Sequence, residues 1–155
     1  EYNIPKDQII LDLFCGTGTI GQLISKNTPN NIIGVDIVES AIKNAIKNVQ
    51  KNQLKNLKFI SSDVGKFLLN HPEYQNKIHS IVIDPPRAGI SPKSLRKVIR
   101  LNAKVIVYVS CNPATQARDL VTLNEMGYQL KKFSLVDQFP HTSHIESIML
   151  FEKNQ

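Results

Sequence analysis

Along this chain, unbroken apolar runs alternate with segments in which apolar residues recur at helical spacing. Ile9 to Phe14 is apolar except for Asp12, as in a strand buried on both faces. Ile20, Leu23 and Ile24 then share one predicted helix face. Ile32 to Asp36 is a second strand, followed by Ala41, Ile42, Ala45, Ile46 and Val49 at helical spacing. Leu57 to Ile60 reads as a short third strand. Ile81 to Ile83 runs into Asp84-Pro85-Pro86, where the prolines must end a strand. Ser91-Pro92 is a helix start, a capping hydroxyl followed by proline at the first helical position. Leu95, Val98 and Ile99 supply that helix's inner face.

Val105 to Val109 is the fifth strand. The helix after it spans Ala114 to Met126, with Leu120, Leu123 and Met126 inward and Gly127 as its stop. Leu130 to Val136 and His144 to Phe151 read as strands with only a helix-free loop between them, so they pair antiparallel. Five β/α alternations and a final antiparallel pair predict an α/β fold. Its sheet is doubly wound and Rossmann-like, mostly parallel with an antiparallel C-terminal strand.

At 155 residues the whole chain, 1–155, fits one domain with a sizeable core. No apolar run approaches a membrane span, so no membrane partner is expected, and the chain is read as a monomer. It opens on Glu1 with a strand a few residues later, as in a piece of a longer protein. The net charge of +6 fits a polyanionic partner, although many basic domains bind no nucleic acid. Two cysteines, Cys15 and Cys111, offer neither a disulfide framework nor zinc spacing, which points to a reducing, cytoplasmic setting.

Chemistry enters at the strand ends. Gly16-Thr17-Gly18-Thr19-Ile20-Gly21 follows the first strand and opens a helix, and Asp36 ends the next strand 20 residues after Gly16. The glycines let the backbone approach a ligand, and Asp36 can accept hydrogen bonds from ribose hydroxyls. A nicotinamide dehydrogenase and an S-adenosylmethionine enzyme both fit these residues, and Gly18 also fits a plain tight turn. Asp12, within the first strand, favours S-adenosylmethionine, whose sulfonium and ammonium suit carboxylates and which carries no pyrophosphate. Asp63 stands where a side chain commonly holds the adenine amine, and also fits a turn. Ser110-Cys111-Asn112-Pro113-Ala114-Thr115 sets a thiol beyond the fifth strand, beside a helix N-terminus whose partial positive charge suits an anionic sulfur. A small buried core residue is the other reading of Cys111.

With Leu11-Asp12-Leu13-Phe14-Cys15-Gly16-Thr17-Gly18, Asp84-Pro85-Pro86-Arg87-Ala88-Gly89, the Cys111 motif and Phe139-Pro140-His141-Thr142-Ser143-His144-Ile145-Glu146 in order, the chain resembles the catalytic domain of the uracil-C5 RNA methyltransferases over essentially its whole length. The resemblance implies a class I methyltransferase fold, S-adenosyl-L-methionine as cofactor, and a tRNA or rRNA substrate in which 5-methyluridine is made. It makes Cys111 the nucleophile and Glu146 the general base. Phe14, Gly16, Gly18, Asp36, Asp63 and Asp84 would line the cofactor and target-base site. Thr19 stands where several family members carry Asn. Members usually carry an N-terminal RNA-binding domain and a preceding segment with a Gln near the cofactor, neither of which is in this chain. On this likeness the chain alone binds cofactor but methylates RNA poorly.

The remaining candidates have plainer readings. Arg87 either binds phosphate or braces its loop. Amino-group methyltransferases place an aromatic at that position and cytosine-C5 RNA enzymes a Cys, so Arg87 excludes both. His71 and His79 are expected to be solvated. His141 and His144 lack partners suited to zinc and shape the loop that delivers Glu146. Glu146, on an otherwise apolar strand, also fits an outward-facing edge position. Lys43, Lys47, Lys51, Lys55 and Lys58 read as a solvated helix side and loop. A nicotinamide-dependent oxidoreductase and a non-catalytic RNA- or cofactor-binding module remain the alternatives to a methyltransferase.

Overall fold

The computed structural model describes residues 3–138, 140–142 and 144–154. Five parallel strands form its centre: β1 (Ile9–Leu13), β2 (Ile32–Asp36), β3 (Leu57–Ser61), β4 (Ile78–Ile83) and β5 (Val105–Ser110). Between and after them run α1 (Thr19–Ser25), α2 (Glu39–Lys51), α3 (Val64–Asn70), α4 (Pro92–Arg100) and α5 (Pro113–Glu125). β6 (Tyr128–Val136) and β7 (Glu146–Lys153) complete the chain, and a 3-10 turn at Pro72–Tyr74 precedes β4. The sheet order is β3-β2-β1-β4-β5-β7-β6, with β7 antiparallel to both β5 and β6. Strand order reverses between β1 and β4, and that switch point opens the crevice in which such sheets bind ligands. The expected doubly wound sheet with an antiparallel C-terminal end is the fold observed.

Leu11, Leu13, Ile81, Ile83, Ile106, Tyr108 and Phe151 project to one face, where Phe67, Leu95, Val98, Ile99 and Leu123 from the helices cover them. Ile10, Ile32 and Leu57 face the other way, against Ile24, Val49, Leu54 and Phe59. The proline-led start of α4 is as expected, with the Ser91 hydroxyl accepting from the Ser94 N–H. Gly127 follows α5 in a left-handed conformation that terminates it.

Several expectations need correction. The apolar pattern does not predict α3. It is short, and Val64, Phe67 and Leu68 only form a helix face once Asp63 caps the Lys66 N–H. Leu23 is 60% exposed, because Gly21 and Ser25 are the residues of α1 that lie against the sheet. Ile46 and Met126 are likewise exposed, at the margins of the stripes assigned to them. His79 is buried rather than solvated. It lies on β4 with Nδ1 2.7 Å from the Ser80 hydroxyl, and burial, then the charge of Lys104, lowers its pKa. His71 sits against the Phe67 ring, 4.5 Å between centroids, and pairs with Glu73.

Candidate active site

Every candidate site residue but Glu146 lies at the carboxyl end of a strand or just after one, and Glu146 opens the antiparallel β7. Phe14 follows β1 with φ of 60°, a left-handed conformation that is uncommon for a side chain of this size. The chain then turns through Cys15 and Gly16 into α1. Gly18, with φ of 77°, is the helix's first flanking residue, and a Cβ there would fall 2.1 Å from the Phe59 ring. Only glycine satisfies both constraints, so the loop's second glycine is a steric requirement. Above Gly16 a Cβ would meet nothing within 4 Å, so that side of the loop is open.

Three carboxylates converge beside this loop. Asp36 ties it down, with Oδ2 accepting from the Gly16 N–H at 2.8 Å and Oδ1 from the Val38 N–H at 2.8 Å. Asp12 is fully buried; its Oδ2 accepts from the Gly21 N–H at 2.9 Å, while its Oδ1 has no hydrogen-bond partner. Burial pushes the Asp12 carboxyl up to about 7, opposed by the Gly21 bond and reinforced by the charges of Asp84 and Asp36. Asp84 is raised in turn, by burial and then by Glu146. The Cys15 thiol, also raised by burial, feels Asp12 and Asp36. The pocket beside the glycine loop is therefore rich in negative charge. Asp63 stands apart as an exposed helix cap.

Cys111 and Glu146 flank the end of one ladder. The last β5–β7 pair is Ser110 opposite Ser147, so Cys111 directly follows that pair after β5 and Glu146 directly precedes it in β7. Cys111 is a half-buried free thiol held in a tight turn. The Asn112 N–H donates to the Ser110 hydroxyl at 3.0 Å, and the Asn112 side chain caps α5 through the Ala114 N–H.

Sequence reasoning missed the polar residues that fasten this pair from behind. Gln116 and Ser147 are wholly buried, and the Ser147 hydroxyl donates to Gln116 Oε1 at 2.5 Å. Gln116 Nε2 donates to the Tyr108 carbonyl at 2.7 Å. The available signal was a glutamine on the inward stripe of α5. On the solvent side, Arg87 joins three loops. Its carbonyl accepts from Asn112 Nδ2 at 3.0 Å, and its guanidinium lies 2.6 Å from His144 Nδ1, two residues before Glu146. Of the two readings of Arg87, these interactions favour bracing. Phe139 and Ser143, named with this loop in the sequence, lie outside the described residues. No cluster of metal-ligating side chains occurs among the described residues.

The match to known proteins runs the length of this architecture. The family model described as tRNA (uracil-5-)-methyltransferase matches residues 3–154. An RNA methyltransferase of Clostridium acetobutylicum is 43% identical over 147 residues, covering 95% of this chain and 31% of the relative. The 23S rRNA (uracil(1939)-C(5))-methyltransferase of Acinetobacter baylyi is 40% identical over 154 residues, 98% of this chain and 33% of its own length. Among solved structures, the Pyrococcus abyssi tRNA (uracil-54, C5)-methyltransferase in complex with S-adenosyl-L-homocysteine superposes with a TM-score of 0.80 at 33% identity. That match covers 96% of this chain and 35% of the solved one. The chain spans about a third of the length of these relatives. With the family's model matched across both the glycine-loop half and the Cys111–Glu146 half, the chain belongs to the tRNA (uracil-5-)-methyltransferase family.

Proposed function

We propose that this chain is the S-adenosylmethionine-dependent catalytic domain of an RNA methyltransferase that modifies C5 of a uridine in tRNA or rRNA. The observation that carries the reading is the β5–β7 ladder, whose last pair, Ser110–Ser147, is flanked by Cys111 after one strand and Glu146 on the other, which supports their acting on one base. The residues beside the glycine loop fit the cofactor. Asp12 Oδ1 lacks a donor that an ammonium supplies. Asp36 keeps a free lone pair on each oxygen for ribose hydroxyls, and the loop is open over Gly16. Phe14 and Gly18 shape that opening, and Asp63 retains one carboxylate oxygen for a donor such as an adenine amine. The carboxylates of Asp12, Asp36 and Asp84 beside the loop suit the cationic amino-acid portion of S-adenosylmethionine better than a pyrophosphate.

When bound, S-adenosylmethionine supplies an electrophilic methyl group on a sulfonium. Uracil C5 is too weak a nucleophile to take it unaided. The Cys111 sulfur adds to C6, forming an S–C6 bond and making C5 an enolate carbon. After C5 is methylated it still bears its hydrogen. Glu146 removes that proton, the C5–C6 double bond re-forms, and the S–C6 bond breaks to release Cys111. Asp84, whose charge acts on Asp12 and which feels that of Glu146, would line the site between cofactor and base. A paired or stacked uridine must be extruded to reach this crevice. No described helix is long and apolar enough to cross a membrane.

The test uses the full protein, unmodified RNA and S-adenosylmethionine labelled in the methyl group. Glu146→Gln accumulates a labelled RNA–protein adduct that survives denaturing electrophoresis, whereas Cys111→Ala forms none. Normal turnover by Glu146→Gln rejects the base, and an adduct in Cys111→Ala rejects the nucleophile.

A further inference from the structure

The positive charge of this chain is concentrated in one segment. Residues 85–118 contain Arg87, Lys93, Arg96, Lys97, Arg100, Lys104 and Arg118 and no Asp or Glu. The rest of the chain carries 12 Lys and Arg against 13 Asp and Glu, so this segment accounts for the whole net excess of +6. Three of its cations are already engaged. Arg87 reaches His144, Arg118 pairs with Asp119, and Lys97 Nζ donates to the Gly65 carbonyl at 3.2 Å.

Lys93, Arg96 and Arg100 are different. They occupy positions i, i+3 and i+7 of α4, all exposed, opposite the face that buries Leu95, Val98 and Ile99. None of the three has an acidic partner among the described residues. Three like charges on one helix face repel one another and weaken the isolated helix. Here they form a stripe about 10 Å long at 1.5 Å per residue. By contrast, the lysines of α2 are relieved locally, with Lys43 paired to Glu39 at 2.8 Å. The α4 stripe also has a defined origin. α4 begins directly after the Asp84–Gly89 loop, whose Arg87 carbonyl is held by Asn112, the neighbour of Cys111. A polymer whose base lies at Cys111 can leave the crevice along this helix.

We propose that Lys93, Arg96 and Arg100 form a docking surface for the phosphodiester backbone of the substrate RNA next to the target uridine. The inference rests on the RNA methyltransferase reading and adds to it the side of the domain along which the strand runs. The chemistry is charge neutralisation, so binding there is independent of sequence and releases counterions.

The experiment compares the full protein with two charge-matched triple variants. One is Lys93→Glu, Arg96→Glu, Arg100→Glu on α4; the other is Lys43→Glu, Lys47→Glu, Lys51→Glu on α2. The probe is tRNA and rRNA isolated from cells lacking the enzyme, with affinity measured at several salt concentrations. In the α4 variant the dissociation constant rises at least tenfold at low salt. The slope of log affinity against log salt becomes shallower by about two, the change expected when two or three phosphates are no longer neutralised. KM for RNA rises, kcat stays within twofold, and binding of S-adenosylhomocysteine is unchanged. The α2 variant stays within threefold of wild type. Wild-type affinity and salt slope in the α4 variant would overturn the proposal, as would an equal loss in both variants, which would mean net charge alone matters. Loss of binding to anionic lipid vesicles with RNA affinity intact would assign the stripe to a membrane surface instead. If wild type binds RNA but transfers no methyl group, the methyltransferase reading fails, while the affinity comparison still decides whether α4 holds RNA.

Discussion

Asp12 shows how one residue links the stability of this domain to its ligand. Its carboxyl is buried with one oxygen bonded to Gly21 and the other unpartnered, and it takes up a proton at about 7 instead of 3.8. Between those two pH values the folded chain binds a proton that the unfolded chain does not. Stability therefore falls as pH rises from about 4 to about 7 and is level above that. The penalty at pH 8 is on the order of 4 kcal/mol. Asp12→Asn removes it, so the melting temperature of the variant relative to wild type should be higher at pH 8 than at pH 4. A difference that does not change with pH would show that Asp12 titrates normally. A cation bound at the loop favours the ionised carboxylate, so S-adenosylmethionine should bind more tightly above pH 7, and binding below pH 7 should release a proton. That dependence should vanish in the Asn variant.

At the scale of elements, the β5–α5 turn and the start of β7 behave as one unit. Gln116 on α5 bonds the Ser147 hydroxyl of β7 and the Tyr108 carbonyl of β5, so one side chain spans three elements behind Cys111 and Glu146. Such a link holds their separation better than the ladder alone, which ends at the Ser110–Ser147 pair. Ser147→Ala leaves Gln116 Oε1 buried without a donor, at a cost of about 1–3 kcal/mol measured by urea unfolding. In the proposed mechanism uracil is tethered to Cys111 before Glu146 removes its proton, so the variant should also release methylated RNA more slowly than it forms the adduct. A stability loss with proportional slowing of both steps would make the link structural only.

For the molecule as a whole, charge is distributed unevenly along the chain. Carboxylates gather at the switch point where the cofactor is proposed to bind, while the positive excess sits on the segment from 85 to 118. A ligand that engages the carboxylates binds only the folded chain and should stabilise it. S-adenosylhomocysteine at a hundredfold over its dissociation constant contributes about 2.7 kcal/mol. For a domain of this size that is a melting-temperature rise of roughly 5–10 °C. NAD at the same concentration should give none. A larger shift with NAD would return the glycine loop to a dinucleotide.

Local patterning determined much of this molecule. Apolar runs and helical spacings placed nearly every strand and helix, because buried positions must match the period of the element that carries them. The glycine loop and the thiol before a helix were likewise visible as motifs, since each needs a particular residue at a particular strand end, whereas Glu146 stood out only through the family resemblance. Periodicity failed where an element is too short to show its period, as in α3, or where a position lies at the margin of a stripe, as with Leu23 and Ile46. What tertiary structure alone decided is which distant residues meet. A period of two says that Glu146 lies on a strand, but not that this strand inserts between β5 and β6 and starts where the turn at Cys111 follows β5. Nor does it show that Asp12, Asp36 and Asp84 share one field, that His79 is buried, or that Gln116 reaches Ser147. Those relations depend on strand order and register, which are set by packing between segments far apart in the chain.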